Sequence, residues 1–143
     1  ITGIAKGTAE AFKGLLLQNT SSLKDQGYAQ YALAKAEALT ESAQFHVKES
    51  IRPIWEDAVA GRTTSMEQRG RARRSYVLAT EHAIEAVDLC YHAAGGAAVF
   101  DANPFHRNLS DVHAASMHQL LQRKMMETCG RVALGTLTND PQF

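Results

Sequence analysis

Between Gly95 and His118 the sequence reads GGAAVFDANPFHRNLSDVHAASMH. This stretch gathers the residue types most able to do chemistry. Gly95 and Gly96 are the only adjacent glycines, and Asn103-Pro104, Arg107, Asp111 and His118 follow them. Paired glycines let backbone come close to a ligand. An arginine matches an anion, and an imidazole titrates near neutrality and can take or give a proton. Arg107 and Asp111 stand at i, i+4, a pair worth about 0.3–0.5 kcal/mol when exposed. His118 lies seven residues beyond Asp111. On a continuous helix that places it on the same side but about 10 Å away, too far for an Asp–His dyad, with His113 some ~140° round. His118 therefore needs partners from another element to be catalytic; otherwise it is a boundary histidine. No two histidines stand at i, i+4, and HExxH, GxSxG, P-loop and GxGxxG patterns are missing. A metal site is not expected.

Helical periodicity must position these groups. Helix one is expected over residues 2–18, on the stripe Ile1, Ile4, Ala5, Thr8, Ala11, Phe12, Leu15 and Leu16. Gly3, Gly7 and Gly14 imply close approach of a helix or ligand, or weak propensity held by packing. Asn19-Thr20-Ser21-Ser22 is a break. Helix two spans Tyr28 to Ala60 with Ala32, Ala36, Leu39, Ala43, Val47, Ile51 and Ile54 inward, kinked or broken at Pro53. His46 reads as a core or boundary residue. Helix three spans Ser65 to Ala94, opened by a Ser65/Gln68 capping box. It carries a small-residue stripe, Ala72, Ala79, Ala83, Ala86, Cys90 and Ala93. Val77, Ile84, Val87 and Tyr91 run beside it. His82 and His92 read as exposed or hydrogen-bonded. Gly95 ends that helix, Asn103 caps the next, and Pro104 enters its first turn. Helix four runs from Pro104 to Thr128, bending near Gly130 into a shorter piece to Leu134. Thr138-Asn139-Asp140-Pro141 is a stop. The expected fold is all-α, an antiparallel four-helix bundle, in one domain over 1–143.

Composition narrows the partners. The 143 residues are 45% hydrophobic and 21% charged, with fifteen basic and fifteen acidic side chains. Neither nucleic acid nor a membrane surface is expected from that balance. Arg69, Arg71, Arg73 and Arg74 read as a solvated or subunit-contact face, with a phosphate site as the other reading. Cys90 and Cys129 have no metal-type spacing and read as buried free thiols of a reducing compartment. There is no apolar run of the ~18 residues a bilayer needs, and no signal-peptide layout at Ile1. A cytoplasmic location is expected. With a helical stripe already under way at Ile1, the chain is expected to be a piece of a longer protein, with functional partners upstream.

Gly95-Gly96, a loop, then Pro104-x-x-Arg107-x-x-x-Asp111 resembles the C-terminal domain of the acyl-CoA dehydrogenase fold, where twelve residues separate the first glycine from the arginine and four more reach the aspartate. GIAKGTAEAF near the start resembles that domain's first helix, and QGYAQYALAKAEALTESA, from Gln26, its second. Many dehydrogenases of this fold carry a glutamate base eight residues after the aspartate. Here that residue is Gln119, and an amide cannot abstract a proton. Asn103, Pro104, Arg107, Asp111 and His118 are instead similar to the two-component flavin-dependent monooxygenases of the p-hydroxyphenylacetate hydroxylase and steroid-phenol hydroxylase type. Two departures stand out: Ser110 replaces an arginine, and Leu16-Leu17-Gln18-Asn19-Thr20 replaces an Arg-x-x-Phe-Gly element.

The resemblance implies the oxygenase component of an aromatic hydroxylase. Reduced FMN or FAD from a separate reductase would react with O2 at flavin C4a and pass one oxygen atom to a phenolic ring. His118 would be catalytic. Gly95, Gly96, Phe100, Asn103 and Arg107 would contact the flavin, and Arg107 with Asp111 would hold the loop on the helix. Phe100 and Phe105 would wall the pocket or pack the core. A homotetramer is implied. The alternatives are an acyl-CoA dehydrogenase with its base elsewhere and a stand-alone helical oligomerisation module.

Overall fold

The computed structural model describes residues 1–18, 22–136 and 143. Asn19, Thr20 and Ser21 of the expected break and the Thr138–Pro141 stop lie outside them. Five α-helices follow in order: α1 (Thr2–Leu16), α2 (Gly27–Val59), α3 (Met66–Ala94), α4 (Phe105–Ser116) and α5 (Lys124–Ala133). Short 3-10 turns occupy Leu23–Asp25, Gly95–Val99 and Gln119–Leu121. The class is all-α, as the periodicity predicts.

Alternating small and large residues let the helices come close. Ala5, Ala9, Phe12 and Leu16 of α1 meet Ala29, Ala32, Ala36 and Leu39 of α2 and Ala83, Ala86, Val87 and Cys90 of α3 in one core. Every residue of the expected α3 small-residue stripe is buried. The contact between α2 and α3 is the most extensive in the bundle. Asp57 bonds Gln68, Ser50 bonds Ser75, and Lys35 pairs with Glu85. One index falls as the other rises, so the two helices are antiparallel. Asn108 Nδ2 donates to Thr8 Oγ1 at 2.9 Å and ties α4 to α1.

The α2–α3 turn is held by polar groups. Ser65 Oγ accepts from the Gln68 amide at 3.1 Å, and Gln68 Oε1 accepts from the Ser65 amide at 2.7 Å, completing the predicted capping box. Asp57 accepts from Gln68 Nε2 at 2.6 Å and Arg62 Nε at 2.8 Å. Those hydrogen bonds, Gln68's first, hold its carboxyl below the usual carboxylate range.

Several expectations are corrected. α2 runs unbroken through Pro53; one missing donor does not outweigh the packing on α3. Its inward face continues from Ala43 to Ser50, seven residues on, while Ile51 is exposed. His46 is exposed too. A Cβ at Gly3, Gly7 or Gly14 would meet nothing within 4 Å, so no described element approaches closely there. α5 passes through Gly130 without a bend-imposed end. The predicted fourth helix is divided: α4 stops at Ser116 and α5 begins at Lys124. Ser116 Oγ donates to the His113 carbonyl at 2.7 Å and Gln122 Nε2 to the Met117 carbonyl at 3.0 Å. Side chains thus serve carbonyls that helical amides would otherwise use.

Candidate functional site

The break after α4 places His118 outside any α-helix. Its backbone is extended (φ −61°, ψ 129°) and it caps the Gln119–Leu121 turn. Nδ1 accepts from the Leu120 amide at 3.3 Å. A neutral ring in that arrangement carries its proton on Nε2, which makes Nε2 a donor. The helical-face relation to Asp111 and His113 lapses, because the helix ends before His118. The ring is exposed.

The neighbours of His118 in sequence, Met117 and Leu121, line an open groove whose wall does not include His118 itself. This open groove of about 1310 Å³ runs along α3, between the start of α2 and the 117–124 connector. Met117, Leu121, Gln122 and Arg123, flanking His118 in sequence, line it, opposite Tyr28 and Tyr31. Ile84, Leu89 and His82 form part of the α3 wall. His82 is half-buried, and its Nδ1 is shut from solvent without a hydrogen-bond partner among the described residues. That differs from the exposed or bonded state expected of it. His92 does bond, through Nδ1 to the Asp88 carbonyl at 2.7 Å.

Three carboxylates on the groove side of α3 each meet a cation or imidazole from a different element. Glu81 accepts from Arg123 Nε at 2.8 Å, Glu85 pairs with Lys35 at 3.5 Å, and Asp88 with His113 Nε2 at 3.2 Å. Sequence reasoning passed over them, although their i, i+4, i+7 spacing marks one helix face.

The remaining candidates gather at the other end of α4. Gly95 ends α3 with φ +57°, which favours glycine. A Cβ on Gly95 or Gly96 would meet nothing within 4 Å, so their backbone faces open space. Phe100 is 65% exposed. Asn103 does not cap α4: its Nδ2 donates to the Ala97 carbonyl at 2.8 Å and ties the loop back on itself. Pro104 takes the capping position, its carbonyl accepting from the Asn108 amide at 2.8 Å. Arg107 is 85% exposed along its side chain and, among the described residues, meets only Asp111, at 3.6 Å. That surface pair does not hold the loop. Phe105 is no pocket wall: it is buried edge-on to Phe12, with ring centroids 6.4 Å apart.

α4 is twelve residues long, about 18 Å. The structure therefore brings Gly95, Gly96, Phe100, Asn103 and Arg107 together at one end and His118 at the other. The tyrosine-lined groove has room for a flat apolar ring, whereas the Gly95–Arg107 end offers open glycine backbone and an exposed Phe100. Arg71 and Arg74 are exposed, Arg69 and Arg73 half-buried. Cys90 and Cys129 are free and buried. Burial, and after it the Glu37 charge, pushes the Cys90 thiol up to about 12. No described helix is long and apolar enough to cross a membrane.

Comparison with known proteins gives this arrangement a family. Pigment production hydroxylase of Rhodococcus erythropolis is 30% identical over 100 residues, which cover 70% of this chain and 25% of that protein. Indole-3-acetate monooxygenase of Acinetobacter baumannii is 23% identical over 138 residues, 93% of this chain and 36% of the relative. The crystal structure of 3-HSA hydroxylase from Rhodococcus sp. RHA1 matches with a TM-score of 0.88 at 25% identity, over 97% of this chain and 36% of that one. This chain thus spans between a quarter and little more than a third of the length of these relatives. The family model "Acyl-CoA dehydrogenase, C-terminal domain" matches residues 1–123. The chain belongs to the acyl-CoA dehydrogenase C-terminal domain family.

Proposed function

We propose that this bundle is the C-terminal part of the oxygenase component of a two-component, flavin-dependent aromatic monooxygenase. One observation carries the reading: the connector between α4 and α5, whose Met117, Leu121 and Gln122 line the groove, holds an exposed imidazole at His118 and an amide at Gln119, with no carboxylate between Met117 and Arg123. The connector thus lacks a carboxylate base for dehydrogenation, and the groove's own carboxylates, Glu81, Glu85 and Asp88, are each engaged by a cation or imidazole, whereas the connector carries a hydrogen-bonding ring suited to a phenol. The hydroxylases and monooxygenases among its relatives support the same choice.

Reduced FMN or FAD, delivered by a separate reductase, would supply the oxygen-activating chemistry. The groove, above the roughly 300–1,000 Å³ of a usual small-molecule site, has room for a ring system and an aromatic substrate together. Tyr28, Tyr31, Met117 and Leu121 give it apolar walls. Other parts of a longer protein would close it and keep water out. With Nδ1 engaged by Leu120, His118 would donate from Nε2 to the substrate oxygen. It would accept the phenolic proton there only after giving up that contact. Gly95, Gly96, Phe100, Asn103 and Arg107 lie too far along α4 to serve the same ring. We assign them to the flavin of a neighbouring subunit in a homotetramer, with the exposed Arg107 guanidinium, held only by its surface pair with Asp111, available to a phosphate. The assembly works in the cytoplasm.

The test uses the full-length protein with reduced FMN or FAD, O2 and a phenolic probe. Hydroxylated product is expected. His118→Ala should cut product formation about 100-fold, the lower range for a lost acid–base group, with the far-ultraviolet spectrum unchanged. Undiminished product from that variant removes His118 from the chemistry.

A further inference from the structure

The segment carrying His118 is irregular, yet it is fixed at both ends to the same helix. His113 Nε2 lies 3.2 Å from Asp88 Oδ1, and Arg123 Nε donates to Glu81 Oε1 at 2.8 Å. His118 stands midway, five residues from each partner. Glu81 and Asp88 are seven residues apart on α3, two turns of one face and about 10 Å. The chain from α4 into α5 is thus laid across two carboxylates, with His118 midway between the anchors in sequence. Inside the span, Gln122 Nε2 donates to the Met117 carbonyl at 3.0 Å, and Leu120 N–H orients the ring itself. Val112 and Met125 are buried just outside it. Between those anchors Met117, His118, Gln119 and Gln122 are exposed and Ala115, Ser116, Leu120 and Leu121 half-buried, so no fully buried side chain within the span sets where His118 sits.

We propose that Glu81 and Asp88 are positioning residues, a two-point clamp that fixes the segment carrying His118, whose Met117, Leu121 and Gln122 line the groove. The inference rests on the role given to His118 above. Each pair is partly exposed, and an exposed pair changes an equilibrium by only about 1.4- to fivefold. Acting on one short span, the two together matter more than either alone, because a misplacement of about 1 Å is enough to cost rate.

The test takes the full-length protein with Glu81→Gln and Asp88→Asn combined. Amide hydrogen exchange over 117–123 should accelerate about two- to 25-fold, two exposed pairs' worth, while exchange in the middle of α3 and the thermal midpoint stay put. Product should fall and hydrogen peroxide release rise as oxygen transfer uncouples. Exchanging the charges of one pair, Glu81→Arg with Arg123→Glu, should restore both readouts toward the parent. Should the double variant fail to fold, Glu81→Gln alone gives the same reading at smaller amplitude. Unchanged exchange over 117–123 overturns the clamp. Faster exchange with undisturbed coupling overturns its positioning role. Full hydroxylation by His118→Ala would instead strike the parent reading, and the exchange result would stand apart from it.

Discussion

Phe100 and Phe105 are five residues apart and have opposite surroundings. Phe105 is 1% exposed and stands edge-on to Phe12 in the core shared by α1 and α4. Phe100 projects from the loop before α4. Periodicity could not separate them, because the loop between them has no helical phase. Their energetics should separate them at once. Phe105→Ala opens a cavity among side chains that cannot all collapse into it and should cost about 3–5 kcal/mol. Phe100→Ala should stay within about 0.5 kcal/mol. Chemical denaturation of the two variants measures both, and similar losses for the pair would show that Phe100 is covered by something else in the folded protein.

At the scale of elements, the boundaries that side chains announce were legible, and those set by competition were not. Ser65 and Gln68 stand at capping-box spacing, and α3 begins after Ser65. Ala72 through Ala93 recur at threes and fours, and all are buried. The end of α4 carries no such mark. Leu120, Leu121 and Met125 keep a helical rhythm with Val112, so periodicity carries the helix onward. Ser116 and Gln122 end it by serving carbonyls, a contact that spacing alone does not reveal. His118 was therefore found by type and neighbourhood, while its orientation and its groove had to come from the fold. The α2–α3 turn, where both kinds of information agree, makes a firm forecast. Ser65→Ala removes an N-cap and should lower stability by about 1 kcal/mol. Acid should loosen the same turn. The Asp57 carboxyl is lowered in the folded state by Gln68 and Arg62, so its contribution is present above its ordinary value of 3.8 and is lost as pH falls through the folded value. A thermal-midpoint series should show Asp57→Asn converging on the parent as pH falls through the folded value, below the ordinary 3.8. A constant gap across that range would place the stabilisation outside the charge.

The whole molecule leaves more apolar surface uncovered than its own core explains. Phe45, Trp55 and Val59 of α2 are exposed, Trp55 at 68%. They lie on the side of α2 turned away from Ala36 and Ala43. Tyr28 and Tyr31 open into the groove at the helix's other end. Single exposed hydrophobics are ordinary, but a run of large ones along one helix is a surface waiting for a neighbour. A bundle this rich in buried alanine gains little from each side chain, and covering Trp55 would add to it. In the homotetramer proposed above, the outer face of α2 is the place for another copy. Light scattering of the full-length protein should give four times the chain mass. Trp55→Glu should shift the population to smaller species, because a buried unpaired carboxylate at an interface costs several kcal/mol. The substitution sits on a solvent-facing turn of the isolated bundle, so helix content should not change. A variant that keeps the parent mass would move the subunit contact off α2. A parent that is already monomeric would remove the neighbouring flavin from Gly95, Gly96 and Arg107, and leave His118 and its groove to carry the activity within one chain.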